Sequence, residues 1–211
     1  MSGRRAVFLD RDGTLLELVA YLHRPEEVSL IAGAASALRR LGQKGWLRVV
    51  VTNQSGIARG TFSMKDVLAV HERMLELLHA EGADLDGIEI CPHHPDYTGP
   101  CSCRKPAPGM ISRAADRLGI DTAVSWVIGD RSEDLQAGHL LGARTILVRT
   151  GYGREEEVTA RSVQTPWITR VADDLSAACE LLLAETARAG SQEGAGDSPV
   201  GPDMAGGSTG A

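Results

Sequence analysis

Residues 6–9, Ala-Val-Phe-Leu, form an apolar run that stops abruptly at Asp10-Arg11-Asp12-Gly13-Thr14. A run with no polar position cannot leave one face in water, so it predicts a strand covered on both sides, as in a mainly parallel α/β sheet. The two carboxylates then fall at the strand's C-terminal end, where open parallel sheets bind their ligands. An acidic pair in that place points to a metal and a reacting group. Asp10 suits a nucleophile attacking phosphorus, with Mg²⁺ bridging it to the phosphate. Asp12 suits the acid that protonates the leaving oxygen and later activates water. Taken alone, the same residues also fit a turn in which both side chains accept backbone N–H bonds.

The pattern recurs along the chain. Residues 46–52 read as a second strand, with Val49, Val50 and Val51 buried on both faces, and it ends in Thr52-Asn53-Gln54-Ser55-Gly56. Thr52 Oγ and the backbone N–H groups of Asn53, Gln54 and Ser55 would hold a phosphoryl group there, although an ordinary polar loop has the same composition. A further strand over 124–128 finishes in Gly129-Asp130-Arg131-Ser132-Glu133-Asp134. Asp130 would complete an oxygen-rich Mg²⁺ site with Asp10 and the backbone carbonyl of Asp12, while Asp134 supports that site or caps the following helix. Strands are also predicted at 87–90 and 144–148. Helices are predicted over 33–44, stopped by Gly45, from Ser63 to His79 behind a capping box with Asp66, and over 108–118, stopped by Gly119. His71 and His79, both on the second helix, read as packing or surface residues. Residues 15–22 are apolar and β-prone, enough for a small flap beside the site and too short for a large cap domain. Beyond Arg154 a β-prone piece near Trp167-Ile168 and a helix from Asp173 are expected to pack on the sheet.

Between the third strand and the third helix lie Cys91-Pro92-His93-His94 and Cys101-Ser102-Cys103. Three thiolates and an imidazole are a sufficient tetrahedral set for Zn²⁺, and a closed set of four is structural. His93 is the expected ligand because Cys91-x-His93 mirrors Cys101-x-Cys103; His94 is the alternative, and a disulfide from Cys91 to Cys101 or Cys103 is the competing use of the thiols. Arg104 and Lys105 follow directly, so a zinc-held loop would set their direction. Lys105 would neutralise Asp10 and the substrate phosphate together, with Arg104 holding another anionic part of the substrate.

Composition narrows the partners. The 211 residues carry a formal charge of −6, which disfavours nucleic acid and anionic membranes, so an anionic substrate must be held locally by Arg and Lys. No run approaches the ~20 apolar residues of a membrane span, and a cytoplasmic monomer acting on a small phosphorylated metabolite is expected. One domain over 1–188, with its zinc loop at 91–103, is followed by a Gly-rich acidic stretch, 189–211, that lacks Lys and Arg and is expected to be a disordered tail. Cys179 reads as core.

Asp10/Asp12, then Thr52, then Lys105 before a helix, then Gly129-Asp130, taken in that order, resemble the haloacid dehalogenase superfamily of phosphotransferases. Residues 52–60, 91–95 and 103–106 resemble its zinc-loop branch, that of the heptose bisphosphate phosphatases and the closely related histidinol phosphatases. The likeness covers about residues 5–153. It implies a Rossmann-like three-layer α/β/α sandwich and an Mg²⁺-dependent phosphomonoesterase working through an aspartyl phosphate on Asp10. Asp12 becomes the acid/base, Asp130 the Mg²⁺ ligand, Thr52 and Lys105 the phosphate holders, Arg104 and Arg131 substrate contacts, and Cys91, His93, Cys101 and Cys103 the Zn²⁺ ligands. The preferred substrate implied is a heptose 1,7-bisphosphate losing its 7-phosphate, with histidinol phosphate as the alternative. A catalytically inactive phosphate-binding scaffold is disfavoured because all the catalytic residue types are present. One departure bears on the substrate: the family commonly has a polar segment and Gly-Tyr after the first motif, whereas residues 15–19 here are almost wholly apolar and Ala20 precedes Tyr21.

Overall fold

The computed structural model describes residues 3–193. Its strands are β1 (Ala6–Leu9), β2 (Leu47–Asn53), β3 (Gly87–Cys91), β4 (Trp126–Gly129), β5 (Arg144–Val148) and β6 (Arg170–Ala172). Its α-helices are α1 (Ala34–Gln43), α2 (Met64–Ala80), α3 (Pro95–Thr98), α4 (Gly109–Leu118), α5 (Ser132–His139), α6 (Gly153–Val163) and α7 (Leu175–Glu193). All six strands form one parallel sheet in the order 3-2-1-4-5-6. The order reverses at β1, whose Phe8 lies beside Val49 of β2 on one side and Val127 of β4 on the other. Asp10 extends that ladder by donating its N–H to the Ile128 carbonyl at 3.0 Å, so the first carboxylate stands at the topological switch point.

Alternation within the strands builds two cores. Val7, Leu9, Val50 and Ile128 face α1, α2 and α7, while Phe8, Val49, Val51 and Val127 face α4 and α5. Phe8 and Leu9 are fully buried on opposite faces, worth roughly 2 kcal/mol apiece relative to exposure. The result is the three-layer α/β/α sandwich. The capping box of α2 is present, with Ser63 N–H donating to Asp66 Oδ2 at 2.7 Å and Asp66 N–H donating to Ser63 Oγ at 3.3 Å. Gly119 ends α4 in the left-handed region, as a helix C-terminus favours.

Five segments depart from expectation. Residues 15–22 form no strand: Leu15 and Leu16 N–H both donate to the Arg11 carbonyl, closing a tight turn that sends Leu15 and Leu16 into the core. Leu18 to Leu22 alone line the site's cleft, so the flap is shorter than the apolar run implied. The last strand sits at 170–172, not at Trp167-Ile168. Trp167 is engaged otherwise, its carbonyl accepting from Thr145 Oγ1 and its indole N–H donating to Ser132 Oγ. Helix α6 shows no apolar stripe, since only Gly153 in it is buried, and hydrophobic spacing therefore did not reveal it. In the Pro-rich zinc loop, Pro95–Thr98 makes a helical turn capped by His94. Helix α7 continues to Glu193 through the start of the stretch expected to be a tail, and 194–211 lie outside the described residues. No helix among the described residues is long and apolar enough to cross a membrane.

An ion-pair clasp holds α6 on the sheet edge. Arg149 after β5 donates to both oxygens of Glu157, at 2.7 and 2.9 Å, and also pairs with Asp173. Hydrogen bonding from Arg149 draws the Glu157 carboxyl down to about 2. A depressed carboxylate contributes stability that is complete above its unfolded value near 4.5 and is lost as pH falls through the folded value. Glu157→Gln should therefore cost about 1 kcal/mol at neutral pH, discounted for its partly solvated partner. In urea unfolding the deficit against the unsubstituted protein should shrink as pH drops below 4.5; a deficit independent of pH would remove the ion pair as its cause.

Candidate active site

The C-terminal ends of β1, β2 and β4, with the segment after β3, surround a cleft of about 320 Å³. Its lining includes Asp10, Asp12, Thr52, Asn53, Gln54, Ser55, Arg104, Lys105, Arg131 and Asp134, so strand ends remote in sequence meet as their chemistry suggested. At its base the Lys105 ammonium is 3 % exposed and touches three acceptors: Asp10 Oδ1 at 2.5 Å, Asp134 Oδ1 at 2.7 Å and the Val51 carbonyl at 2.7 Å. Burial alone would push its pKa down; Asp10 and Asp134 more than offset this and leave it raised, so Lys105 is a fixed cation.

Asn53 clasps the Lys105 backbone from both sides, its Oδ1 accepting from Lys105 N–H at 3.1 Å and its Nδ2 donating to the Lys105 carbonyl at 3.2 Å. Gln54 donates to Thr52 Oγ1 at 2.8 Å and to Asp12 Oδ2 at 3.1 Å. Both side chains are thus engaged in holding the site's own groups, and the Gln54 backbone N–H, expected to hold a phosphoryl group, donates instead to the Cys91 carbonyl at 2.7 Å. Thr52 Oγ, accepting from Gln54, keeps its proton for another acceptor. Ser55 lines the cleft wall.

The acidic groups divide into two sets. Asp10, Asp130 and Asp134 bring carboxylate oxygens within 4.8 Å of one another. Asp130 is 1 % exposed; its Oδ2 accepts from Tyr152 N–H at 2.8 Å, while its Oδ1 is buried without a hydrogen-bond partner among the described residues. Burial first, then Asp10 and Asp134, push the Asp130 carboxyl up to about 8. A hard divalent cation fits this place, because its charge would relieve that crowding and occupy the orphaned oxygen. The backbone enforces the fit: a Cβ on Gly13 would lie 2.4 Å from Asp130 Oδ2 and one on Gly151 2.1 Å from it, and both glycines have positive φ. Asp134 is less free, since its Oδ2 also accepts from Arg131 N–H at 3.0 Å, capping α5.

Asp12 stands apart from that cluster. Its side chain is held by Gln54 and by Arg11, whose Nε and Nη2 reach it at 3.1 and 2.9 Å. The backbone carbonyl, not the side chain, is therefore what Asp12 has left to offer an ion. Burial raises its pKa against the pull of Arg11, which suits a group that must carry a proton to a leaving oxygen.

Cys91, His93, Cys101 and Cys103 also converge. The sulfurs lie 3.1, 3.4 and 3.8 Å apart, and His93 Nδ1 is 3.2 Å from Cys103 Sγ. One tetrahedral Zn²⁺ with bonds of about 2.3 Å requires ligand separations near ~3.8 Å, so four soft donors this close fit that ion. All four cysteines are free thiols. His94 faces away, its Nδ1 accepting from Asp96 N–H and its Nε2 meeting Arg59. Arg104 Nη1 donates to the His93 carbonyl at 3.4 Å, tying the cleft's cation to the loop. Across the cleft the Arg131 guanidinium lies 3.9 Å over the Tyr152 ring, a partner that sequence spacing did not suggest.

Residues 102–178 match a family model described as HAD-hydrolase-like. The chain is 43 % identical over 177 residues to a D-glycero-β-D-manno-heptose-1,7-bisphosphate 7-phosphatase of Yersinia pestis, covering 81 % of this chain and 92 % of that protein. It is 47 % identical over 155 residues to the phosphatase of the same name from Haemophilus ducreyi, covering 71 % and 85 %. Among solved structures, the D,D-heptose 1,7-bisphosphate phosphatase of B. bronchiseptica, complexed with magnesium and phosphate, superposes with a TM-score of 0.79 at 39 % identity, covering 86 % of this chain and 99 % of that one. Likeness of this degree over nearly the full length of those proteins is common descent: the chain belongs to the HAD-like hydrolases, in the family of the heptose-1,7-bisphosphate 7-phosphatases.

Proposed function

We propose that the protein is a phosphomonoesterase that removes the 7-phosphate of D-glycero-β-D-manno-heptose 1,7-bisphosphate. The observation that carries the chemistry is the base of the cleft, where Asp10 is pinned by a buried cation beside a carboxylate oxygen, Asp130 Oδ1, that lacks a partner among the described residues. The names of the relatives support the substrate.

Asp10 attacks phosphorus with one carboxylate oxygen, forming an O–P bond as the bond to the sugar oxygen breaks. Asp12 gives its proton to that departing oxygen. A water then attacks the aspartyl phosphate, Asp12 takes back a proton, and inorganic phosphate leaves with Asp10 restored. Lys105 balances charge on Asp10 and the transferring phosphoryl group, and Thr52 Oγ–H donates to a phosphoryl oxygen. Asp10, Asp130 and the Asp12 carbonyl would hold Mg²⁺, which would supply electrophilic stabilisation of phosphoryl charge. Arg104 and Arg131, lining the same cleft, offer cations to the second phosphate of the substrate. Cys91, His93, Cys101 and Cys103 would hold a structural Zn²⁺, which would orient the loop that delivers Arg104 and Lys105. The domain that carries this reaction is read as 1–188.

Asp10→Asn should abolish phosphate release with little change in Tm, because Lys105 keeps Asp134 and the Val51 carbonyl as acceptors; persistent turnover would overturn the nucleophile. Steady-state kcat/KM on the two anomers of heptose bisphosphate and on histidinol phosphate tests the substrate, with the β anomer expected highest and a preference for histidinol phosphate refuting the reading. Removing zinc with Mg²⁺ in excess should lower Tm and cut activity by about tenfold or more, as loss of an orienting metal does. Full activity without zinc would show that the loop positions itself.

A further inference from the structure

Arg11 lies between the two aspartates, carries a full charge and is wholly buried, yet the reaction above gives it no direct part. Its Nε and Nη2 grip the Asp12 carboxylate, and its Nη1 points the other way, 3.0 Å from Nε2 of His71. His71 is on α2, 60 residues away, 4 % exposed, and at the wall of a separate groove lined by Leu68, Leu75, Ile88 and Ile90. Read from sequence, this histidine was a packing residue. The contact says more. A guanidinium only donates, so Nε2 must present its lone pair and the ring proton must sit on Nδ1. Burial and the Arg11 charge agree with that state, lowering the His71 pKa to about 3.

We propose that His71 is a positioning residue for the general acid: by accepting from Arg11 Nη1, it fixes the guanidinium that orients Asp12 toward the leaving oxygen. A buried guanidinium has few rotamers to choose from only while each of its donors is satisfied. Without an acceptor at His71, Nη1 must seek one elsewhere, and the fork holding both Asp12 oxygens turns with it. Asp12 then delivers its proton less well, whereas Asp10, Lys105 and Thr52 keep their places because their hydrogen bonds run to other groups, Lys105 Nζ to Asp10 and the Val51 carbonyl and Gln54 to Thr52.

This inference rests on the phosphomonoesterase reading, and the leaving group separates the two. Protonation matters for an alkoxide and hardly at all for p-nitrophenolate, which departs as the anion. Three substrates are compared by kcat/KM, which reports the steps up to leaving-group departure: heptose bisphosphate, glycerol 3-phosphate as a simple alkyl ester, and p-nitrophenyl phosphate. His71→Asn, whose amide is too short to reach Arg11, should lose about tenfold or more on the alkyl esters, within the range general acids contribute, and less than about twofold on the aryl ester. His71→Gln, which places an oxygen close to the position of Nε2, should recover most of the alkyl activity. Equal losses on both ester classes, no loss on either, or failure of Gln to outperform Asn would overturn the proposal. Should His71→Asn not fold, imidazole ¹⁵N shifts of the unsubstituted protein decide: a bare Nε2 that stays neutral at pH 5 supports it, and a protonated Nε2 refutes it. Turnover of the aryl and glycerol esters but not of heptose bisphosphate would instead defeat the substrate assignment and leave the role of His71 open to the same ratio.

Discussion

A lysine ammonium at the bottom of the cleft is the interaction on which the other parts depend. Burying such an ion unpaired costs several kcal/mol, so Lys105 can sit at 3 % exposure only because Asp10, Asp134 and the Val51 carbonyl converge on it. Those acceptors come from the ends of β1 and β2 and from the first turn of α5. Lys105 itself arrives from the loop after β3. One cation therefore ties together four segments, and each of them is held in place by a sheet that is buried on both faces.

That cation also sets the electrostatics of what is left over. Asp10 and Asp134 share Lys105, and Asp12 is matched by Arg11. Among the described residues Asp130 has one hydrogen-bond donor, the Tyr152 backbone N–H, and its Oδ1 has no partner. The site is short of positive charge at one defined place, walled by the backbones of Gly13 and Gly151. A divalent cation answers that shortage, and a phosphorylated substrate brings further anionic oxygens to share it. The separate clasp of Arg11 and Gln54 holds the Asp12 side chain apart from the acidic cluster of Asp10, Asp130 and Asp134, so two carboxylates two residues apart can take different tasks.

Much of this was legible in the residues, for a physical reason. In a parallel sheet, polar groups that terminate apolar runs are delivered to one edge, so Asp10, Thr52 and Asp130 could be grouped before their distances were known. The tetrad of Cys91, His93, Cys101 and Cys103 was legible because ligand spacing within a short loop is local. Signals failed where the determinant was a distant partner. The Gln54 backbone N–H looked free for a phosphoryl group until the Cys91 carbonyl claimed it, and spacing gave no hint that the Asn53 and Gln54 side chains would hold the Lys105 backbone and Asp12. His71 looked like packing until Arg11 met it. Leu15 and Leu16 looked like a flap, yet the turn closed on the Arg11 carbonyl draws them into the core. Helix α6 had no apolar stripe to betray it, being held at the sheet edge largely by charge.

Residue order alone points to the kind of chemistry proposed here, since the proposed nucleophile, acid, phosphate holder and metal ligands each lie at a strand's end or within one loop. Which amide serves the protein and which serves the substrate, which carboxylate stays free, and which histidine supports the acid are settled by folding. Those choices rest on hydrogen bonds between residues 42 to 95 positions apart, and the donor that wins each acceptor is set by packing geometry that composition and spacing do not encode.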